Sequence, residues 1–287
     1  MITTLLLALA TCAVWLPPLR MAGARVPPWL LLLLAAMVGA LAAGALAPGG
    51  AALIGMLLAV AWAASRAEGR WRVVLVVLTA LGALAVSVCS MAHVGGPAWP
   101  AALRLTHDAA AFTPNVQIGK VSAGLFLFAL LVPRLASVAE LTRFWKPTLA
   151  IGAICTLVTV SVAVAIGYVR FAPRLSSGIA PLLAANLLFT CVAEEAYFRS
   201  LLQEGLHRLA DRRAGRVGHA AAIVASAIAF GAVHIAGGPR LVVLATLGGL
   251  GNAVAYARTR KVEASVFVHF ALNAVHMIFF THPGLAR

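Results

Sequence analysis

Charge is what this sequence has least of. Only 10% of its 287 residues are Asp, Glu, Lys or Arg, against roughly a quarter in a soluble domain. A chain so poor in charge cannot cover a globule with a solvated surface, which excludes a soluble protein. Acidic residues are scarcer still, 8 against 22 basic ones. The four cysteines, Cys12, Cys89, Cys155 and Cys191, sit inside apolar runs with no CxxC or zinc spacing. That argues against a disulfide framework and a cysteine metal site, and they read as small buried hydrophobes. The HExxH signature of helical zinc proteases is also missing.

Apolar residues fill the space that charge leaves. They make up 62% of the chain, and the mean hydropathy is +0.99. Runs of about 20 apolar residues, enough to cross a bilayer core as a helix, recur from end to end. The fold class this predicts is all-α, a polytopic transmembrane helix bundle of about ten spans. They fall near residues 2–18, 28–47, 51–65, 72–92, 119–135, 147–169, 179–204, 218–236, 240–257 and 263–281. The fifth is short, and Arg134 at its end would have to snorkel. The first sixteen residues lack a basic leader, which favours a retained span over a cleaved signal peptide. Trp15, Trp29, Trp62, Trp71 and Trp145 fall near span ends, as interfacial aromatic belts do, and Trp99 lies in the longest loop.

A net charge of +14 could suggest nucleic acid, but the basic residues are spread over short loops rather than gathered on one face. That is a topology signal, and no nucleic-acid partner is expected. Alternate loops split the charge unevenly. Arg20, Arg25, Arg66, Arg70, Arg72, Arg134, Arg143, Lys146, Arg208, Arg212, Arg213, Arg216, Arg258, Arg260 and Lys261 fall on one side. Arg104, Lys120, Arg170, Arg174, Arg240 and Arg287 fall on the other. The positive-inside rule puts the first group in the cytoplasm and both termini outside. Arginine far outnumbers lysine, and alanine and leucine abound, as in GC-rich bacterial genomes. The expected location is therefore the inner (plasma) membrane. Three parts are expected: a four-span membrane module at 1–93, a loop with the short fifth span and its cytoplasmic connection at 94–146, and a polar-bearing bundle at 147–281.

The first four spans hold no ionisable residue away from their ends. The seventh holds three in six residues, Glu194, Glu195 and Arg199, within CVAEEAYFRS. Charges at membrane depth are costly and usually functional. Glu195 and Arg199, four apart, share a helix face and can pair. Glu194 points about 100° away, with no local partner in the sequence, and reads as the reactive carboxylate. The eighth span ends in AFGAVHIAGG, where Phe230 and His234 share a face. The tenth places His269, Asn273 and His276 in one stripe. Singly, a Glu–Arg pair reads equally as a structural ion pair, Asn273 as interhelical glue and His276 as an interfacial residue. Together, a carboxylate, two histidines and an amide suit general-base hydrolysis: Glu194 as base, His234 holding the water, and His269 with Asn273 donating to an oxyanion.

These residues resemble the motifs of the CPBP intramembrane proteases, also called the CAAX-protease and bacteriocin-processing (Abi) family. The motifs are EExxxR (Glu194, Glu195, Arg199), FxxxH (Phe230, His234) and HxxxN (His269, Asn273), in order over residues 147–281. The resemblance implies a glutamic-type endopeptidase that uses no metal and no other cofactor. Glu194 and His234 would activate water, His269 and Asn273 would form the oxyanion hole, and Glu195 and Arg199 would support the site. The interval from Glu194 to His234 is long for the family and reads as an insertion in the basic loop Arg208–Arg216.

The expected partners are membrane lipid and a protein or peptide substrate with a hydrophobic C-terminal segment. Three rivals remain open. A zinc protease would use Glu194, His234 and His269 as ligands. An immunity or scaffold protein would keep the fold without the chemistry. A transporter would use Glu194 for proton coupling, although polar residues are lacking in the first half.

Overall fold

The computed structural model describes residues 2–21, 23–88, 102–174, 178–213 and 215–286. Cys89, His93, Trp99 and the end of the span expected at 72–92 lie outside them. The architecture is an all-α polytopic bundle. Among the described residues, seven helices are long and apolar enough to cross a membrane and three apolar helices are shorter. The one sheet among the described residues is a hairpin, β1 (Leu19–Met21) antiparallel to β2 (Ala24–Val26). The chain divides into two compact units.

The first unit comprises Met1–Pro100, Pro114–Arg134 and Leu188–Tyr197. It contains α1 (Ile2–Cys12), α2 (Pro28–Ala42), α3 (Pro48–Arg66), α4 (Gly69–Val88) and α5 (Ile118–Leu130). Proline opens α2 and α3, at the one helical position that wants its fixed φ and does not miss its N–H. α5 is short and enclosed by the protein. Every residue from Ile118 to Phe128 is buried except Lys120, as expected of a helix apolar all round.

Arg134, at the end of the short fifth span, donates to the carbonyl of Val14, a partner that the sequence did not indicate. Trp29 is no interfacial anchor: it is 3% exposed and packs on Phe126, ring centroids 6.3 Å apart. Trp15, in turn, lies 5.1 Å from Phe128. The aromatic side chains of a fully buried helix need partners, and the span-end tryptophans supply them.

The second unit comprises Ala101–Thr113, Leu135–Leu187 and Phe198–Arg287. α6 (Val138–Ala165) begins a good two turns before the expected span. Ser137 caps it by accepting from the Glu140 N–H, and Glu140 returns a bond to the Ala136 N–H. This reciprocal arrangement satisfies two helix-start donors. α7 (Ile179–Asp211) is one long helix, and α8 (Gly215–Ala232), α9 (Pro239–Thr259) and α10 (Val262–Phe279) follow it in the chain.

The basic segment expected as a loop is therefore largely helical, continuing to Arg213. Glu204 and Arg208 form an i,i+4 ion pair at 3.0 Å, and that pairing extends a helix beyond its apolar stretch. Within the unit α8 packs on α9, and α6 on α9 and α10. Gly231 makes the first of these contacts possible: a Cβ there would meet Thr246 Oγ1 at 1.9 Å.

Candidate active site

The first unit holds the double glutamate. Val192–Glu195 is an ordinary helical turn between two wider π-type stretches, Asn186–Cys191 and Ala196–Gln203. Such widened turns are rare and concentrate at functional sites. Glu195 is fully buried. Glu194 Oε1 accepts from Lys120 Nζ at 2.6 Å, so the carboxylate that has no local partner in the sequence has a remote one. Lys120 sits in the first turn of α5.

Gly124, one turn on, explains how α5 comes this close. A Cβ on it would stand 2.4 Å from Ala193 Cα, so only glycine lets α5 lie against the turn that carries Glu194. A pair 74 residues apart in sequence leaves no periodic signal, so sequence reasoning missed it.

The second unit holds the other five motif residues. Phe230, 3% exposed, is their hub. Its ring lies 5.0 Å from that of His234, and 5.4 Å from that of His269 in an edge-to-face contact. Phe198 packs edge-on at 5.0 Å, and the Arg199 guanidinium carbon stands 5.8 Å from the ring centroid. The aromatic position of FxxxH thus gathers both histidines and the arginine around one ring, through quadrupole-favoured contacts.

His234 Nδ1 lies 2.8 Å from the Phe230 carbonyl oxygen. A carbonyl only accepts, so Nδ1 carries the proton and Nε2 the lone pair. On α10, Asn273 Nδ2 donates to Asn186 Oδ1 at 3.2 Å. The stripe's third member, His276, donates from Nε2 to the Thr281 carbonyl at 3.1 Å. Counted from helix ends, His269 should lie much shallower than His234, yet both meet Phe230. α8 starts fifteen residues before Phe230, and α10 seven before His269, so the two helices do not begin at one level.

Arg199 is fully buried. It donates from Nη1 to Gln203 Oε1 at 3.0 Å and to Ser226 Oγ at 2.9 Å. Gln203 Nε2 in turn donates to the Ala253 carbonyl at 2.8 Å and meets His207 Nε2 at 3.2 Å. The chain goes on through His207 Nδ1 to His219 Nδ1 at 2.7 Å, and from His219 Nε2 to Asp211 Oδ1 at 2.8 Å. One donor direction satisfies every link: Gln203 donates to His207, His207 to His219 and His219 to Asp211. Gln203, His207, His219 and Asn186 were not singled out in the sequence, since none belongs to a motif and their partners are remote. Among the described residues, no group of three His, Cys, Asp or Glu side chains converges as metal ligands do.

A multi-pass helical membrane protein that carries carboxylates, histidines and an amide on its apolar helices is the class that these observations define. Residues 176–275 match the family model described as type II CAAX prenyl endopeptidase Rce1-like. This segment is an Rce1-like domain of the CPBP (CAAX-protease) family, and all seven motif residues fall within it. The match supports a CAAX-type intramembrane protease. No curated protein and no solved structure matches the chain.

Proposed function

We propose that the chain is a glutamic-type intramembrane endopeptidase of the inner membrane with both termini outside. It would hydrolyse a peptide bond near the hydrophobic C-terminal segment of a protein or peptide substrate, without metal. The observation that carries this reading is the clustering of His234 and His269 on Phe230, within the segment that matches the protease family.

Glu194, with Lys120 as counter-charge, takes a proton from water as the oxygen adds to the scissile carbonyl. His234, its Nδ1 tied to the Phe230 carbonyl, presents Nε2 to that water. His269 and Asn273 donate to the oxyanion, a task in which a single donor is worth about 10²–10³ in rate. As the tetrahedral intermediate collapses, the C–N bond breaks and the proton held by Glu194 passes to the leaving amine. Two new termini result. Glu195, Arg199 and Phe230 hold these groups in place.

The test compares C-terminal mass spectra of membrane proteins from cells carrying the wild-type chain or Glu194→Ala. A defined set of proteins that keep uncut tails only in the variant is the expected result and identifies the substrates. Identical profiles, with both chains expressed, would leave the non-enzymatic reading.

A further inference from the structure

On the second unit, α6 and α10 run side by side and leave an apolar groove of about 800 Å³, within the range of ligand pockets, roughly 300–1,000 Å³. Thr156, Val160 and Ala165 line it from α6, Ala271 and Val275 from α10, and Phe280 from just beyond the end of α10. From Leu149 to Ala165 the groove follows α6 for about 24 Å at 1.5 Å per residue. This is longer than one leaflet's share, about half, of the roughly 30 Å hydrocarbon core.

A cation lies beside the Phe280 end of the groove. Residues 171–174 run along 278–280, with the Ala172 N–H donating to Phe279 O and the Arg174 N–H to Ile278 O, both at 2.8 Å. Arg174 Nη2 donates to the Phe280 carbonyl at 2.7 Å. Its Nε and Nη1 are buried with no acceptor, and so is Nδ1 of His282, whose ring packs on His276 at 4.9 Å and on Phe112 at 5.3 Å. Asp108, on a neighbouring loop, stands 3.8 Å from Arg170. Burying guanidinium donors without acceptors is costly, and a phosphate supplies several acceptors in the geometry that the arginine fork matches.

We propose that this groove binds one anionic phospholipid, an acyl chain along α6 and α10 and the headgroup phosphate on Arg174 and His282. Arg174 is itself only half-buried, so its guanidinium can turn to the headgroup without crossing the core. A substrate chain fits less well. The groove residues Phe267, Ala271 and Val275 each precede a His269–Asn273 stripe position, or follow one, by two residues, about 200° round the helix. The groove thus faces away from the stripe that would carry the chemistry. Basic pockets between transmembrane helices bind anionic headgroups in this manner.

Native mass spectrometry of the full-length chain, titrated with phosphatidylglycerol or with phosphatidylcholine of identical acyl chains, tests the assignment without reference to proteolysis. The wild type should retain phosphatidylglycerol at least about fivefold better, the preference expected of one basic residue at an anionic headgroup. Arg174→Gln should lose that preference, Arg174→Lys should keep part of it, and Ala271→Trp, which fills the groove, should lose retention of both lipids. Equal retention of the two lipids, or an Arg174→Gln variant that keeps the preference, would overturn the proposal. So would displacement of the lipid by a peptide with a free C-terminal carboxylate, which would make the site a substrate subsite.

Discussion

Lys120 Nζ stands 2.6 Å from Glu194 Oε1, so the carboxylate without a local partner in the sequence has a counter-charge from a helix outside the motif-bearing spans. Both side chains are largely shielded, 28% and 15% exposed. Lys120→Met should therefore cost about 1.5–3 kcal/mol, the worth of a charged hydrogen bond. It should also lower cleavage by about 10²-fold, the low end of what a positioned base contributes. Glu194→Gln should abolish cleavage. The double variant should recover the yield and thermal midpoint that Lys120→Met loses, because deleting both partners leaves no unpaired charge. A double variant less stable than Lys120→Met alone would refute the pairing.

Gly124 sets how closely α5 approaches Ala193. Gly124→Val should destabilise the chain by about 1–3 kcal/mol through overpacking and should weaken the Lys120–Glu194 contact one turn away. Gly55→Ala is the control, since nothing lies within 4 Å of its added Cβ. Thermal midpoints in one detergent distinguish the two, and equal midpoints would contradict the close approach.

Phe230→Ala removes a buried ring that touches His234, His269, Phe198 and Arg199. The expected loss is about 3–5 kcal/mol, together with activity. Phe230→Tyr keeps the ring and should keep part of the activity. If Phe230→Ala cleaved at the wild-type rate, the ring would not be positioning the histidines.

Gln203→Leu cuts the connection between Arg199 and the His207–His219 pair. A buried guanidinium loses an acceptor, so yield and activity should fall together, by about 1–3 kcal/mol in stability. Gln203→Glu restores the acceptor and should fold better than Gln203→Leu. The reverse order of stabilities would count against the network.

His282 lies beyond the end of α10, and burial, with Arg174 and His276 nearby, pushes its imidazole down to about 3. The folded chain keeps it neutral where the unfolded chain, at about 6.5, is already protonated. Unfolding then takes up a proton, so its contribution to stability is complete above about pH 6.5 and is lost as pH falls toward 3. Midpoints recorded from pH 7 to pH 4 should fall less steeply in His282→Asn than in the wild type. Parallel curves would rule this group out as the cause.

The sequence by itself determined the class. Scarce charge and repeated apolar runs of helical length leave a helix bundle in a membrane as the solution for the backbone, and three local motifs mark the candidate site residues. Those signals are local, and helical periodicity makes them legible.

What tertiary structure decided is everything that joins distant residues. Only the packed chain shows that α5 is buried along its length, and that Trp29 belongs to its packing rather than to an interface. Only there do Lys120 and Glu194 pair, do His234 and His269 meet on Phe230, and does Arg199 reach Asp211 through four intermediate hydrogen bonds. Each depends on which helix faces meet and at what level. That is settled by close packing at positions such as Gly124 and Gly231, which no pattern within a single span encodes.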